Sequence, residues 1–334
     1  MEVDTSIYSL AGAGERAREL EAVGFDGVCT FEGPHDVFVP LALAAAATEM
    51  RVWSNVAIAF PRNPIHLAHT ARDIQELAGG RFALGLGTQI RTHVERRFGA
   101  EFDRPVERMA DLVGALRAIF AAFETGEPLA HEGPYYSHTL MSPMFNPGPS
   151  QWGAPPIHVG ALGPRLTEMV AAEADGLLVM PFTSRRFFEG HTLEAVARGT
   201  ARRRPGLAPL EVVPELIVCT GRNEAELATA DAGCRALLGF YGSTPAYRPV
   251  LDAEDRGGLQ PRLRDMSREG RWDEMSQLID DELLRTIAVR GTPAEVAQQV
   301  ADRYGAHATR VAVYMPYDTA DDLLGELLDA LHSI

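Results

Sequence analysis

Lysine is absent from this 334-residue sequence, so all 31 basic side chains are arginine. That excludes Schiff-base catalysis, lysine-anchored pyridoxal phosphate and the P-loop, each of which needs an amine that permanently charged arginine cannot supply. Cysteine is scarce: Cys29, Cys219 and Cys234 lie far apart without CxxC spacing, so neither a disulfide framework nor a thiolate metal site is encoded. No extended basic run occurs and the net charge is -15, which argues against nucleic acid or an anionic membrane surface as partner. No apolar run approaches the ~20 residues of a membrane span. The opening MEVDTSIYSL has neither the basic nor the apolar segment of a secretion signal, so a cytoplasmic location is expected. Also missing are a GxSxG elbow, a Cys–His signature and an HExxH motif. His66 and His69 stand three apart on a helical pattern, but without a third ligand no metal site is expected.

What is present is an ordinary globular chain, 46% hydrophobic and 23% charged, with ample material for a core. Strand-like runs bounded by turn residues are predicted at about 2–8, 26–31, 51–60, 81–87, 156–160, 175–181, 211–219 and 309–315, separated mostly by helical patterns. A helix over 105–124 carries the apolar stripe Met109, Leu112, Val113, Leu116, Ile119, Phe120 and Phe123. Another, over 292–304, opens on the capping box Thr292-Pro293-Ala294-Glu295 and closes at Gly305. Strands alternating with helices over this length predict an α/β fold, a (β/α)8 TIM barrel spanning 1–334 as a single domain, with ligands at the C-terminal strand ends. Two stretches interrupt the pattern and are read as insertions, at about 125–155 and 240–285; such loops usually cover a site or mediate association.

Four segments carry candidate chemistry. Gly79-Gly80-Arg81-Phe82-Ala83-Leu84-Gly85-Leu86-Gly87-Thr88-Gln89 reads as a helix stop, a buried strand and a small glycine-rich tip against which a flat cofactor can lie. Pro156-Ile157-His158-Val159-Gly160-Ala161-Leu162-Gly163-Pro164-Arg165 is a strand running into a helix N-terminus, whose free N–H groups and dipole suit a phosphate, or else a plain βα turn. Glu32-Gly33-Pro34-His35-Asp36 follows the second strand, where a barrel places catalytic groups; His35 is the histidine best sited for proton transfer, against the alternative of a solvated loop residue. Gly12-Ala13-Gly14-Glu15-Arg16-Ala17, with Glu32 about 20 residues on, matches a dinucleotide fingerprint, but eight βα units do not fit a six-stranded open sheet.

Taken in order, the His35-Asp36 loop, the run from Ser54 to Pro64, the block from Gly79 to Gly99 and the stretch from Gly160 to Gly176 resemble the luciferase-like monooxygenase superfamily, specifically its branch that uses the deazaflavin coenzyme F420. Tyr241-Gly242-Ser243-Thr244-Pro245 fits a subgroup of that branch. The resemblance implies a TIM barrel with insertions, usually a homodimer, and a small organic substrate. It also implies a bulge in the third strand, with a non-prolyl cis peptide backing the cofactor ring at Val56-Ala57. Gly87, Thr88, Gln89 and His93 match the loop bordering the ring, Gly160, Ala161, Leu162 and Gly163 match the phosphate-binding turn, and His35 matches a histidine near the reactive face. Arg62, Arg91, Arg96 and Arg97 are candidates for the cofactor's anionic tail.

Two departures narrow what the resemblance implies. Sugar-oxidising relatives carry a glutamate where Ile90 stands and a tryptophan where Phe38 stands, and no lysine is present to meet a sugar phosphate. The expected activity is hydride transfer between the deazaflavin C5 and an organic substrate. An FMN-dependent monooxygenase fed by a partner reductase is the alternative, and a non-catalytic cofactor-binding protein the third reading.

Overall fold

The computed structural model describes residues Met1–Ile334. Eight parallel strands form a closed barrel: β1 (Glu2–Ser6), β2 (Gly27–Thr30), β3 (Arg51–Ser54, resuming at Ala57–Ile58), β4 (Phe82–Gly87), β5 (Ile157–Ala161), β6 (Gly176–Val179), β7 (Glu211–Thr220) and β8 (Arg310–Tyr314). Each strand pairs with the next in sequence, and β8 closes on β1. This is the TIM barrel expected from the alternating pattern. The helix ends follow local chemistry. Asn63 Oδ1 accepts from the Ile65 amide ahead of the Pro64–Leu77 helix, and Gly79 and Gly80 leave that helix at φ of 58° and 90°, angles that side-chain-bearing residues avoid. The Thr292–Glu295 capping box forms as read.

Interior-facing residues fall into layers along the barrel axis, as the two-residue period of a strand requires. At the N-terminal end, Arg51 grips Glu211 through two hydrogen bonds of 2.6 and 2.8 Å, His158 Nε2 lies 3.1 Å from the same carboxylate, and Asp4 accepts from Trp53 Nε1 at 2.8 Å and from Arg310. Above this base sits an apolar layer of Cys29, Trp53, Ala83, Leu178, Val213 and Ala312. The main core of 60 residues lies outside the strands, between them and the helices.

The third strand is interrupted, not continuous over 51–60. From Trp53 to Ala57 it advances four residues while β4, from Ala83 to Leu86, advances three, so one extra residue bulges out at Asn55–Val56. A non-prolyl cis peptide lies there, at Asn55–Val56. The expected position, Val56–Ala57, is one bond too late, because the count back from Pro61 does not register the residue the bulge inserts.

The two long interruptions behave differently. Residues after Thr125 form a short hairpin, His131–Glu132 with Ser137–His138, whose turn is tied to Asp111 through the amides of Tyr135 and Tyr136. The chain then follows the outer flank of the Pro105–Thr125 helix to lay Trp152 on Gly80, at the base of the barrel. Residues 240–285 instead contribute to a second apolar core of 16 residues around the Glu224–Ser243 helix. A strand at Val289–Gly291, not anticipated from the sequence, pairs with β7; three residues that follow closely on a helix carry too little periodicity to be read.

Candidate functional site

Water reaches the barrel interior at its C-terminal mouth as well as at the part-buried base. Along strands that are otherwise buried, exposure returns at Asn55, Val56, Gly160, Leu162, Glu215 and Tyr314. One wall is nearly bare backbone. A Cβ at Gly87 would fall 2.3 Å from Val56 Cγ2, and one at Gly85 would fall 1.8 Å from the Ser54 carbonyl, so only glycine lets the bulge nest against β4. Gly160 of β5 lies under the same Val56 side chain, where a Cβ would sit 3.4 Å from Cγ1. The Ser54 hydroxyl donates to the Gly85 carbonyl and accepts from its amide, locking the two strands at the entrance to the bulge.

The residues named from the resemblance stand at or just past the ends of β4 and β5. Gly87 ends β4, Thr88 follows, and Gln89 takes a φ of 55°, its side chain accepting from the Ile90 amide. His93 is exposed on the short Arg91–Arg96 helix. Ala161 closes β5, Leu162 is half-buried, and Gly163 is the N-cap of the Pro164–Glu173 helix. A Cβ on Gly163 would meet nothing within 4 Å, so the space before the helix N-terminus is open to an anionic group.

The rim is less uniform. His35 is exposed on the loop after β2 and makes no hydrogen bond, whereas its neighbour Asp36 accepts from the amides of Phe38 and Val39 and starts the next helix. Glu32 has a structural place: its buried carboxylate accepts from the Ile58 amide at 2.8 Å and from Arg62 at 2.7 Å, pinning the strand just past the bulge. Arg62 is therefore committed to Glu32 and Asp36 and is withdrawn as a candidate for an anionic tail. Arg91 pairs with Glu95 and lies over Phe102, and Arg97 donates to the Gly33 carbonyl. Gly14 of the fingerprint-like run packs against the Leu43 carbonyl, 3.3 Å from where a Cβ would be, a helix-packing glycine in a closed barrel. His69 packs on the Phe123 ring at 4.9 Å, and no group of three or more His, Cys, Asp or Glu is placed to hold a metal.

The wall opposite the glycines was not read from the sequence. Glu211, Val213 and Glu215 share the inward face of β7, which sets Glu215 above the apolar layer, at the floor of the mouth. Burial pushes its carboxyl up to about 7; the Asn55 amide is the only group that opposes the rise, and no cation is close enough to do so. Around it stand Tyr8 and Tyr314, ring centroids 6.1 Å apart, and the Tyr241–Tyr247 pair at 5.9 Å. Burial raises all four phenols, with the Glu215 carboxyl adding to each rise, so all are neutral donors near neutral pH. Phe182 lies 6.2 Å from both Tyr241 and Tyr247, so the 240–285 segment supplies part of this wall. The overlooked signal is a charged residue in the inward phase of an apolar run, Glu215 in EVVPELIVCT.

A family model described as luciferase-like monooxygenase matches residues 2–310. An uncharacterized protein of Mycobacterium tuberculosis is 42% identical over 93% of this chain and 92% of its own length. A 5,10-methylenetetrahydromethanopterin reductase of Archaeoglobus fulgidus is 23% identical over 76% of this chain and 75% of its own. Among solved structures, the coenzyme F420 dependent tetrahydromethanopterin reductase of Methanopyrus kandleri superposes with a TM-score of 0.83 at 14% identity, covering 99% of this chain and 98% of that one. The oxygenating constituent of 3,6-diketocamphane monooxygenase of Pseudomonas putida, in complex with FMN, superposes with a TM-score of 0.66 at 15% identity, covering 99% and 98%. At those identities the structures show a shared fold.

Proposed function

Because this chain belongs to the luciferase-like monooxygenase family, we propose that it is a coenzyme F420-dependent oxidoreductase acting on a small organic substrate. The observation that carries this reading is the bulge at Asn55–Val56, seated on Gly87 and Gly160 beside an open helix N-terminus at Gly163. Together they offer a flat backbone face for a tricyclic ring and free amides for its phosphate arm. Relatives whose names carry F420, such as a putative coenzyme F420-dependent oxidoreductase of Mycobacterium tuberculosis, 27% identical over 90% of this chain, support the deazaflavin over FMN.

When bound, the cofactor supplies the hydride chemistry. The chain's own residues do the rest. Val56 and the glycines of β4 and β5 shield one face of the ring, and Thr88, Gln89 and His93 border it. Gly160, Ala161, Leu162 and Gly163 hold the phosphate, with Arg165 one residue inside the helix. His35, at the outer rim, is the candidate relay of protons between solvent and the reactive face. Titrating the apo-protein with each cofactor tests this: micromolar or tighter binding of F420 with much weaker binding of FMN is expected, and the reverse order would hand the site to a reduced-flavin monooxygenase.

We also propose a homodimer. The Phe38–Ala47 helix has no polar side chain and leaves Val39, Leu43 and Ala46 exposed at helical spacing, behind the loop that bears His35. A second copy is the occupant committed to. Leu43→Glu is expected to convert the dimer to a monomer in sedimentation velocity, and a wild-type monomer at micromolar concentration would reject the proposal.

A further inference from the structure

The mouth has a second wall that cofactor binding does not use, and its chemistry is specific. Glu215 and Tyr314 lie near the C-terminal ends of the paired strands β7 and β8, Tyr8 follows β1 on the other side of β8 with its ring 6.1 Å from that of Tyr314, and the 240–285 segment adds the Tyr241–Tyr247 pair at 5.9 Å. Cys29 of β2 and Asn55 of β3 complete the set of groups facing the carboxyl; burial pushes the Cys29 thiol well up, so it too is uncharged. No arginine or histidine faces Glu215 from any element packed against it. The space is therefore walled by aromatic rings and hydroxyls, with one carboxylic acid and no fixed charge.

We propose that this wall is the substrate subsite, that it takes a flat, uncharged carbonyl or enone compound, and that Glu215 is the catalytic residue which hydrogen-bonds the substrate oxygen and protonates it. An anionic substrate finds no cation here, and a cationic one would force the acid to ionise, so neutrality follows from the surroundings. Tyrosine rings on two sides supply flat contact area at small entropic cost and hydroxyls for orientation.

The protonation step rests on the oxidoreductase reading above; the binding subsite does not. In that step the deazaflavin, when bound, would supply the hydride for a C–H bond at the carbonyl carbon, and the π pair of the C=O bond would move onto oxygen. The oxygen takes the proton of Glu215, whose carboxylate is reprotonated by water entering past the half-exposed Tyr8. Both electrons of the new bond would come from the deazaflavin, and the product would be an alcohol. Run in reverse, Glu215 in its carboxylate form accepts the alcohol proton.

The test uses the whole protein, with 4-methylbenzaldehyde and 4-methylbenzoate as probes. In wild type, infrared difference spectra should show a protonated carboxyl band at pH 6 that fades as pH rises through about 7 and is missing from Glu215→Gln. The aldehyde should bind at least tenfold more tightly than the benzoate, with its carbonyl stretch shifted to lower frequency, and that shift should be lost in Glu215→Gln and partly kept in Glu215→Asp. With F420 loaded, Glu215→Gln should lower kcat at least a hundredfold on any carbonyl that turns over, leaving the F420 dissociation constant within threefold. Because burial also raises Asp4 to about 6, the band is assigned by its loss in Glu215→Gln; an unchanged band in that variant, equal or tighter benzoate binding, or an aldehyde stretch that ignores Glu215 would each overturn the proposal, and the wild-type preference for aldehyde over benzoate decides even if the variants fail to fold. Loss of F420 binding alongside an intact aldehyde shift would instead overturn the cofactor reading and leave the subsite standing.

Discussion

At the N-terminal end of the barrel interior every carboxylate is matched: Glu211 with Arg51 and His158, Asp4 with Arg310 and the Trp53 indole. Four residues further along the same strand, Glu215 faces an amide, a thiol and four phenols and meets no cation. Burial acts to raise both β7 carboxyls, but at Glu211 the Arg51 guanidinium and His158 more than offset it and hold the group well below the carboxylate range. At Glu215 only the Asn55 amide opposes it, and the carboxyl stays raised to about 7. A fold gains nothing in stability from an unpaired carboxyl at the mouth, so the contrast separates a structural polar layer from a site kept ready for a ligand.

The largest expected effect breaks the base. Arg51→Ala leaves Glu211 with a single partner in a part-buried layer and should cost about 3 kcal/mol in urea denaturation. The pH dependence has a fixed sign: Glu211's contribution is whole above the ordinary carboxyl value of 4.5 and is lost as pH falls below it toward the depressed native value. Wild type should therefore lose stability on acidification in that range, and Arg51→Ala should lose less. A cost below 1 kcal/mol would mean that the base is not the structural end.

Gly87→Ala attacks the mouth through shape. The new methyl must displace Val56 Cγ2, so a loss of about 1–3 kcal/mol is expected, together with weakened cofactor binding. Val56→Ala in the same chain removes the clashing methyls and should restore most of the stability but not all of the binding, because the cofactor's backing remains altered. Full recovery of both would show that the Val56 side chain has no part in the site.

The comparison also explains what could be read in advance. Barrel strands, capping boxes and the glycine-rich strand end were legible because they are local: Asn63 before Pro64, Thr292 before Glu295 and the run Gly85–Gly87 carry their meaning within a few residues. The bulge was legible only to within one residue, since its register is fixed by β4, some 30 residues away. Glu215 was not legible at all. Its significance depends on which residues on other strands and on the 240–285 segment face it, and a single glutamate in an apolar strand looks the same whether its partner is an arginine, as for Glu211, or a ring of phenols. Glu32 misled in the opposite direction: its position after β2 suggested chemistry, and its partners, Arg62 and the Ile58 amide, make it a strut.

Glu215→Gln tests the mouth by its effect on stability alone. The carboxyl's native value of about 7 lies above its ordinary 4.5, so the folded protein holds a proton that the unfolded chain gives up between those pH values. Its cost to stability is therefore absent below pH 4.5, grows through that window and is complete above 7. Glutamine removes the cost, so the variant should match wild type at pH 4 and exceed it at pH 8 by about 2 kcal/mol, discounted for partial exposure. A variant less stable than wild type at pH 8 would place Glu215 among the structural carboxylates.

The smallest effect is expected at Arg165, in the first turn of the Pro164–Glu173 helix. Arg165 is 76% exposed and pairs with Glu107 at 3.0 Å, a solvated contact whose loss should change stability by less than about 0.5 kcal/mol. If charge at the mouth exists for ligands, Arg165→Ala should nonetheless weaken F420 binding severalfold while leaving the denaturation curve in place, with the difference shrinking at high salt as a phosphate contact requires. Arg51→Ala should do the reverse, moving the curve and sparing the affinity of what remains folded. Were Arg165→Ala silent in both measurements, the phosphate would have to be held by the backbone amides after Gly163 without help, and the division between the two ends would rest on Glu215 and the bulge.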